Sequence, residues 1–191
     1  MSDERILNKR MEISDLIQGW MLRDLGEWSR LRTLFHLDGT IDVTWFEGQF
    51  SDFVEASTRM AASALRTKHL IGTPVMTIKS DKAICETNVV IVCENSSLHL
   101  GCTEHARFYD RIERRAGSWR ILSRCCFYDM GALTSPYKAI EIDEALVERH
   151  PIEYAALAYV LDKSGFPVRG AFPTRGSESE RQIKEVAQSW L

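Results

Sequence analysis

The sequence predicts an α+β fold in which amphipathic helices cover one face of a curved antiparallel sheet. Hydrophobic residues recur at helical spacing from residue 6 to about residue 65, whereas residues 73–129 show the two-residue period of strands. Short turns separate these strands, and strands joined in this way must be antiparallel because a parallel pair needs a long crossover. Helices followed by a run of strands indicate an α+β arrangement, and a concave sheet closed by helices builds a pocket.

The N-terminal part of the chain is predicted to form three helices and one strand. The first helix covers residues 6–24, and the second covers Glu27–Leu37, each with its apolar residues on one side. Asp38-Gly39 is a turn signal before a strand at Thr40–Phe46, which is rich in β-branched and aromatic residues. A third helix starts at Ser51, whose hydroxyl suits an N-cap, and continues to about Leu65.

Four longer strands and a helical extension complete the predicted fold. The strands are expected at Thr73–Lys79, Lys82–Glu94, Leu100–Arg114 and Ser118–Asp129. From Ser135 the pattern returns to helix, with Pro151 suited to a first helical turn and a capping-box pattern at Ser177–Glu180. These helices are too few for a core of their own. We therefore expect residues 1–134 to form one domain and residues 135–191 to form an extension packed on it.

Length, composition and charge exclude several classes of protein. The chain has 191 residues, of which 45% are hydrophobic and 27% charged, and its net charge is −3. The absence of a strongly basic block argues against nucleic acid as a partner. No apolar run approaches the roughly 20 residues of a membrane helix, and the polar start shows no secretory segment. We therefore expect a cytoplasmic protein that does not bind membranes.

The sequence carries none of the common cofactor or metal motifs. Its five cysteines form no C-x-x-C pair and lie in apolar, strand-like segments, which indicates reduced core residues rather than a zinc site. No Walker loop, G-x-G-x-x-G, G-x-S-x-G or H-E-x-x-H motif occurs. We therefore expect neither a metal ion nor an organic cofactor.

Two residues are candidates for acid–base chemistry. Asp24 continues the apolar stripe formed by Ile13, Ile17 and Trp20, where a carboxylate must be paired or hydrogen-bonded. His69 follows the third predicted helix, where the chain enters the sheet, and a neutral imidazole can act as a general base if a carboxylate fixes its tautomer. A structural explanation stays open for both, with Asp24 capping a neighbouring element and His69 hydrogen-bonded in the core.

Three segments resemble a known superfamily. Arg23–Arg32 followed by Ile41–Val43 resembles the opening of the SnoaL-like branch of the NTF2-like superfamily, and Gly117–Ile121 resembles its last hairpin. Leu65–Gly72 is similar to the segment of scytalone dehydratases that carries their active-site histidine. The resemblance covers about residues 5–132, and it implies a cone-shaped α+β domain with a deep pocket and no cofactor.

The resemblance also implies a role for the two candidate residues. The pocket aspartate of the family falls on Asp24 and its pocket histidine on His69, and in the related hexachlorocyclohexane dehydrochlorinases the aspartate orients the histidine as a base. The chain departs from scytalone dehydratases at their second pocket histidine, which aligns with Glu94, and at two water-holding tyrosines, which align with Arg23 and Val43. The part of the site that polarises the substrate is therefore expected to be absent or rebuilt.

Strand alternation supplies candidates for this rebuilt part. Arg124 and Tyr128 are expected to face inward, and Glu94 or Glu104 could also serve, unless these charges lie at strand ends and face solvent. The candidate substrate-binding residues are Arg124, Tyr128, Arg23, Glu94, Glu104 and Phe108.

The Asp24–His69 pair and the resemblance together predict a cofactor-independent lyase. It would carry out a dehydratase-like elimination on a small hydrophobic cyclic or aromatic substrate. The same groups could run a ketosteroid isomerase-like isomerisation, which shares proton abstraction beside a carbonyl. A non-catalytic NTF2-like ligand-binding module or an oxygenase small subunit stays open, because fold does not determine function. We also expect a homo-oligomer, a dimer or trimer, because the strands are apolar on both faces and the outer face needs cover.

Overall fold

One curved sheet forms the frame of the molecule. The computed structural model describes residues 3–135 and 138–191. In this part of the chain the strands are β1 (Phe35–Val43), β2 (Phe46–Gln49), β3 (Leu65–Ile71), β4 (Val75–Lys79), β5 (Lys82–Asn95), β6 (Leu100–Arg115) and β7 (Ser118–Thr134). The helices are α1 (Asp3–Gln18), α2 (Met21–Asp24), α3 (Trp28–Arg32), α4 (Phe50–Ala61), α5 (Glu144–Val147), α6 (Ala155–Lys163) and α7 (Glu178–Trp190).

The sheet is antiparallel except at one pairing. The strand order is β2-β1-β7-β6-β5-β3, and β4 pairs with the first part of β5. Among the seven strands named above, β1 and β7 are the pair that runs parallel. The turn between β6 and β7 has positive φ angles at Ala116 (49°) and Gly117 (83°), which match the twist of two tightly connected strands. The predicted α+β class and the curved, largely antiparallel sheet are confirmed.

In the structure the first predicted helix, residues 6–24, is broken into two helices, and the second predicted helix is shorter than expected. Gly19 separates α1 from α2, and a Cβ atom at this position would lie 2.7 Å from Cδ2 of Leu34. The second predicted helix, Glu27–Leu37, is wrong in its second half because the chain joins the sheet there. The carbonyl of Leu34 accepts a hydrogen bond from the backbone N–H of Ile121 in β7, and β1 begins at Phe35.

The third predicted helix also ends earlier than expected. α4 stops at Ala61, and the hydroxyl of Ser63 donates a hydrogen bond to the carbonyl of Met60 at 2.7 Å. The same hydroxyl accepts a hydrogen bond from the backbone N–H of Leu65 at 3.1 Å. This serine thus ends the helix and directs the chain into the sheet.

β3 is a strand that the sequence analysis did not predict. Arg66 and Lys68 are exposed, whereas Thr67 and His69 are partly buried, so the side chains alternate with the period of a strand. The expectation that His69 lies between a helix and the sheet is therefore wrong. His69 lies within β3 and pairs with Ile91 of β5.

Two other boundaries differ from the predictions. The predicted strand at Thr40–Phe46 is the hairpin of β1 and β2, which turns at Thr44-Trp45. Pro151 precedes α6 rather than lying in its first turn, because residues 151–154 form a separate turn closed by the N–H of Tyr154. The predicted strands over β5, β6 and β7 are confirmed, and β7 extends further, to Thr134.

The C-terminal helices pack on both faces of the sheet. α6 lies on the inner face, against β5, β6 and β7. α7 covers part of the outer face and begins at the predicted cap, where the Ser177 hydroxyl accepts a hydrogen bond from the N–H of Glu180 at 3.2 Å. A second apolar cluster forms beneath it, composed of Ile84, Tyr109, Phe127 and Ala187. Since the chain supplies this cover itself, an oligomer stays a prediction that needs its own test.

Across residues 3–135 and 138–191, none of the helices combines the length and the apolar character that a membrane span requires.

Candidate active site

An aromatic cavity lies between the inner face of the sheet, α4 and α6. Its volume is about 40 Å³, and apolar side chains form most of its wall. The aromatic lining residues are Trp20, Trp45, Phe53, Phe108, Tyr128 and His69. The cavity has room for a few water-sized groups, so a cyclic ligand would have to displace part of the wall.

Asp24 and His69 meet at the wall of this cavity. Asp24 is the last residue of α2, which packs on β3 and thereby reaches His69. Oδ1 of Asp24 lies 2.7 Å from Nδ1 of His69, and Oδ2 accepts a hydrogen bond from the backbone N–H of His69 at 2.6 Å. The exposed fractions of the two side chains are 2% and 7%. One buried carboxylate therefore fixes both the ring and the backbone of His69.

The surroundings favour a neutral imidazole beside an ionised carboxylate. Burial lowers the pKa of His69 below its usual value, although the hydrogen bond with Asp24 opposes this effect. Burial alone would raise the pKa of Asp24, but its hydrogen bonds and charge interaction with His69 outweigh burial and lower it. Because an ionised carboxylate only accepts hydrogen bonds, Nδ1 of His69 carries the proton and Nε2 is the basic nitrogen.

Arg23 is buried beside this pair and lines the cavity. Its Nη1 donates a hydrogen bond to Oγ1 of Thr67 at 2.6 Å and lies 3.7 Å from Oδ1 of Asp24. Its guanidinium carbon lies 5.9 Å from the ring centre of Phe53. The positive charge of Arg23 helps to keep Asp24 ionised and His69 neutral.

Arg124 and Tyr128 both face the inner side of the sheet. Arg124 binds Asp110 through two hydrogen bonds of 2.7 and 2.8 Å, and its guanidinium carbon lies 4.1 Å from the ring centre of Phe108. Its Nη1 has no hydrogen-bond partner among the described residues. Tyr128 lines the cavity, and its hydroxyl accepts a hydrogen bond from the N–H of Thr44 at 3.1 Å. Tyr128 thus belongs to the wall, while Arg124 lies behind Phe108.

The two candidate glutamates lie on opposite faces of the sheet. Along β5, Cys93 is in the cavity wall, and its neighbour Glu94 lies on the opposite face and does not line the cavity. Glu94 is therefore no longer a substrate-binding candidate. Glu104 is fully buried on the inner face of β6 behind the cavity wall rather than in it, and burial raises its pKa to about 9. Phe108, on the same face of β6, lines the cavity.

Several wall residues escaped the sequence analysis. Thr44 and Trp45 line the cavity from a turn that the sequence pattern predicted to be part of a strand. Leu157 and Leu161 line it from α6 and are one helical turn apart. Their spacing identifies one face of a helix, but spacing alone does not say which surface this face covers.

No metal centre is evident in residues 3–135 and 138–191, where no group of three or more His, Cys, Asp or Glu side chains could hold an ion. The five cysteines are free thiols. Cys125 and Cys126, adjacent on β7, face opposite sides of the sheet, and Cys126 lines the cavity.

The fold and this site define the class of protein. A curved sheet, N-terminal helices across its concave face and a C-terminal helix constitute the NTF2-like cone. The chain belongs to the SnoaL-like domain family, whose model matches residues 5–125. No curated protein matches the chain.

Solved structures of several relatives share the cone. A protein from Novosphingobium aromaticivorans, assigned as a scytalone dehydratase, is 14% identical with a TM-score of 0.59, covering 73% of this chain and 94% of its own. A type 2 hexachlorocyclohexane dehydrochlorinase is 17% identical with a TM-score of 0.60, covering 74% of this chain and 99% of its own.

A third neighbour has a different kind of function. It is the beta subunit of a protein assigned as an aromatic-ring-hydroxylating dioxygenase from the same organism, Novosphingobium aromaticivorans. It is 19% identical with a TM-score of 0.52, and the match covers 63% of this chain and 89% of that subunit. At these identities the likeness shows the fold alone.

Proposed function

We propose that this protein is a cofactor-independent lyase that eliminates a small group, such as water, from a hydrophobic cyclic or aromatic molecule. The observation that carries this proposal is the contact of 2.7 Å between Asp24 and Nδ1 of His69 at the wall of an aromatic cavity. A base held by a second residue, beside a site where a substrate could bind, is the arrangement that proton abstraction requires.

The residues divide the reaction between them. Nε2 of His69 removes a proton from a carbon next to an activating group, and Asp24 holds the tautomer and stabilises the imidazolium that forms. General-base assistance contributes about 100- to 10,000-fold to such a step. The hydroxyl of Tyr128, in the cavity wall, favours the negative charge that develops on a substrate oxygen, whereas Arg124, paired with Asp110 behind Phe108, acts on it only at a distance.

The cavity indicates the kind of substrate. Its wall is aromatic and aliphatic, which suits a planar or cyclic hydrocarbon body with few polar groups. Leu157 and Leu161 of α6 close one side, so we expect α6 or its side chains to shift when a ring enters. The similarity in fold to a dehydrochlorinase and to a protein assigned as a scytalone dehydratase supports this class of substrate.

A ketosteroid isomerase-like reaction is the nearest alternative, because it begins with the same proton abstraction. Product mass separates the two reactions, since elimination releases a small molecule whereas isomerisation leaves the mass unchanged. A role as an oxygenase small subunit would instead give a stable complex with a larger oxygenase chain, and the fold of one neighbour is compatible with it.

The proposed function is tested by a substrate screen with product analysis. Hydroxylated cyclic ketones and halogenated rings are incubated with the wild-type protein and with His69→Gln, and products are followed by mass spectrometry. We expect elimination products with the wild-type protein only. His105→Gln is the matched control, because His105 is exposed on the outer face of the sheet. Elimination at equal rates by wild type and His69→Gln would contradict the proposal.

A further inference from the structure

Glu104 is a carboxyl group that the mechanism above does not use. Its exposed fraction is 0%, and neither carboxyl oxygen has a hydrogen-bond partner among the described residues. A buried polar group without a partner destabilises the folded protein. An acid at this position therefore needs an explanation.

The chain makes room for this carboxyl group. A Cβ atom at Gly131, near the end of β7, would clash with Oε2 of Glu104 and would lie 3.4 Å from Cβ of Ala156 in α6. Glycine weakens a strand interior and often marks a close approach of another group. Two small residues thus form a niche that the side chain of Glu104 fills.

The sheet register places Glu104 on the same row as the proposed base. His69 of β3 pairs with Ile91 of β5, Ile91 pairs with Glu104 of β6, and Glu104 pairs with Gly131 of β7. Residues directly opposite one another across a sheet share a face, and neighbouring strands are about 4.8 Å apart. The Cα atoms of His69 and Glu104 are therefore roughly 10 Å apart on the cavity side, with Ile91 between them.

The surroundings keep this carboxyl group protonated at neutral pH. Burial raises the pKa of Glu104 to about 9, and the negative charge of the nearby Asp129 carboxylate acts in the same direction. A protonated carboxyl group is a hydrogen-bond donor and a proton source, whereas an ionised one only accepts. Glu104 is thus complementary to His69, which is neutral and accepts a proton.

We propose that Glu104 is the general acid that protonates the leaving oxygen while His69 removes the proton from carbon, an inference that rests on the proposed lyase function. Ala156 of α6 lies beside Gly131, the residue that Glu104 approaches, and Leu157 of the same helix closes the cavity. A ring that enters must displace this side of the wall. Since Glu104 lies just behind this side of the wall and not in it, the proposal requires that the same displacement bring its carboxyl group into contact with the substrate.

The proposed step is balanced in atoms and electrons. Nε2 of His69 takes a proton from the carbon next to a carbonyl, and the electron pair of that C–H bond forms the new C=C bond. The C–O bond breaks, its electron pair stays on oxygen, and this oxygen takes the proton of Glu104 and leaves as water. Transfer of the proton from the imidazolium of His69 to the carboxylate of Glu104, through solvent, restores both residues.

Matched leaving groups test the assignment. The probes are 3-hydroxycyclohexanone, whose hydroxyl must be protonated to leave, and 3-chlorocyclohexanone, whose chloride leaves without a proton. We expect Glu104→Gln to lower kcat by about 100-fold or more on the hydroxy ketone and only a few-fold on the chloro ketone. Glu113→Gln is the control, because Glu113 lies on the same strand but pairs with Arg115 at the surface. Equal losses on both probes, or no loss on either, would overturn the assignment.

A second variant and a second measurement separate this proposal from the function on which it rests. If Glu104 is purely structural, Glu104→Met should unfold at a higher temperature than the wild-type protein and keep wild-type kinetics. That result would overturn the proposal.

If the wild-type protein turns over neither probe, the lyase function fails on these substrates, and infrared spectroscopy decides the role of Glu104. We expect a protonated-carboxyl band that is absent in Glu104→Gln and that shifts with saturating cyclohex-2-enone. An unshifted band would contradict contact with a cavity ligand.

Discussion

Asp24 holds His69 at two atoms, the ring Nδ1 at 2.7 Å and the backbone nitrogen at 2.6 Å. Each carboxyl oxygen accepts one of these hydrogen bonds, so the ring cannot change orientation without losing a buried contact. The two residues come from elements that are far apart in sequence, the end of α2 and the middle of β3. The fold therefore brings the two residues together, and the two hydrogen bonds hold the histidine in one orientation.

Asp24→Asn should impair turnover severely while it preserves the shape of the side chain. An amide has one oxygen acceptor and one nitrogen donor, so it cannot accept both hydrogen bonds from His69. With the amide nitrogen facing Nδ1, the ring proton moves to Nε2 and the base is lost. Steady-state kinetics of both single variants and of Asp24→Asn with His69→Gln measure this effect.

The double variant should be little worse than the poorer single variant, because the two residues act as a unit. Thermal unfolding provides the control for a structural role. If Asp24→Asn loses stability in proportion to activity, Asp24 is a structural acid rather than a partner of the base.

In a plot of kcat/KM against pH, the midpoint of the acid limb should lie below the usual pKa of histidine, about 6.5. Burial lowers the pKa of His69, and the base is active only when neutral, so the rate should be constant through pH 7 and fall only at lower pH. Asp24→Asn removes a hydrogen bond that raises the pKa of His69, so its acid limb should move to still lower pH. An acid limb whose midpoint lies above pH 7 would contradict this description of the Asp24–His69 pair.

Arg107 should hold α7 on the outer face of the sheet. Its guanidinium lies 2.8 Å from Asp129 and 2.7 Å from Glu180 of α7, and it also contacts Glu86. Lys184 of α7 lies 2.7 Å from Glu180 and 3.0 Å from Glu86. Arg107→Met leaves three partly buried carboxylates with one cation, so we expect the free energy of unfolding in urea to fall by about 2 kcal/mol.

Arg115→Met is the matched control for this prediction. Like Arg107, Arg115 forms ion pairs with carboxylates, in its case two of them. Its side chain is 42% exposed, so its loss should change the urea midpoint much less. Equal midpoints for Arg107→Met and the wild-type protein would show that the ion pairs do not hold α7.

The period of apolar residues predicted the long strands and the inward direction of Arg124 and Tyr128. Charge and spacing did not predict β3, because Arg66 and Lys68 at its start resemble the basic end of a helix. The alternation of buried and exposed residues through Thr67 and His69 carries the strand signal, but it is weak because few of its residues are strongly apolar.

Contacts between distant elements limited the prediction of the site. The resemblance indicated Asp24 and His69, whereas the closure of the cavity by α6 depends on which surface an apolar helix covers. Glu104 was one of several candidate acids, and only the register across β3, β5 and β6 places it on the row of His69. The division into a domain of residues 1–134 and an extension of residues 135–191 stays a prediction.

The most direct test of the account is the turnover of His69→Gln on a substrate that the wild-type protein converts by elimination. Glutamine keeps a hydrogen-bonding side chain of similar length but cannot accept a proton near neutral pH. We expect kcat to fall by at least about 100-fold, the lower end of general-base contributions, while His105→Gln keeps the wild-type rate. A near wild-type rate for His69→Gln would make His69 a core histidine and would contradict the proposed site.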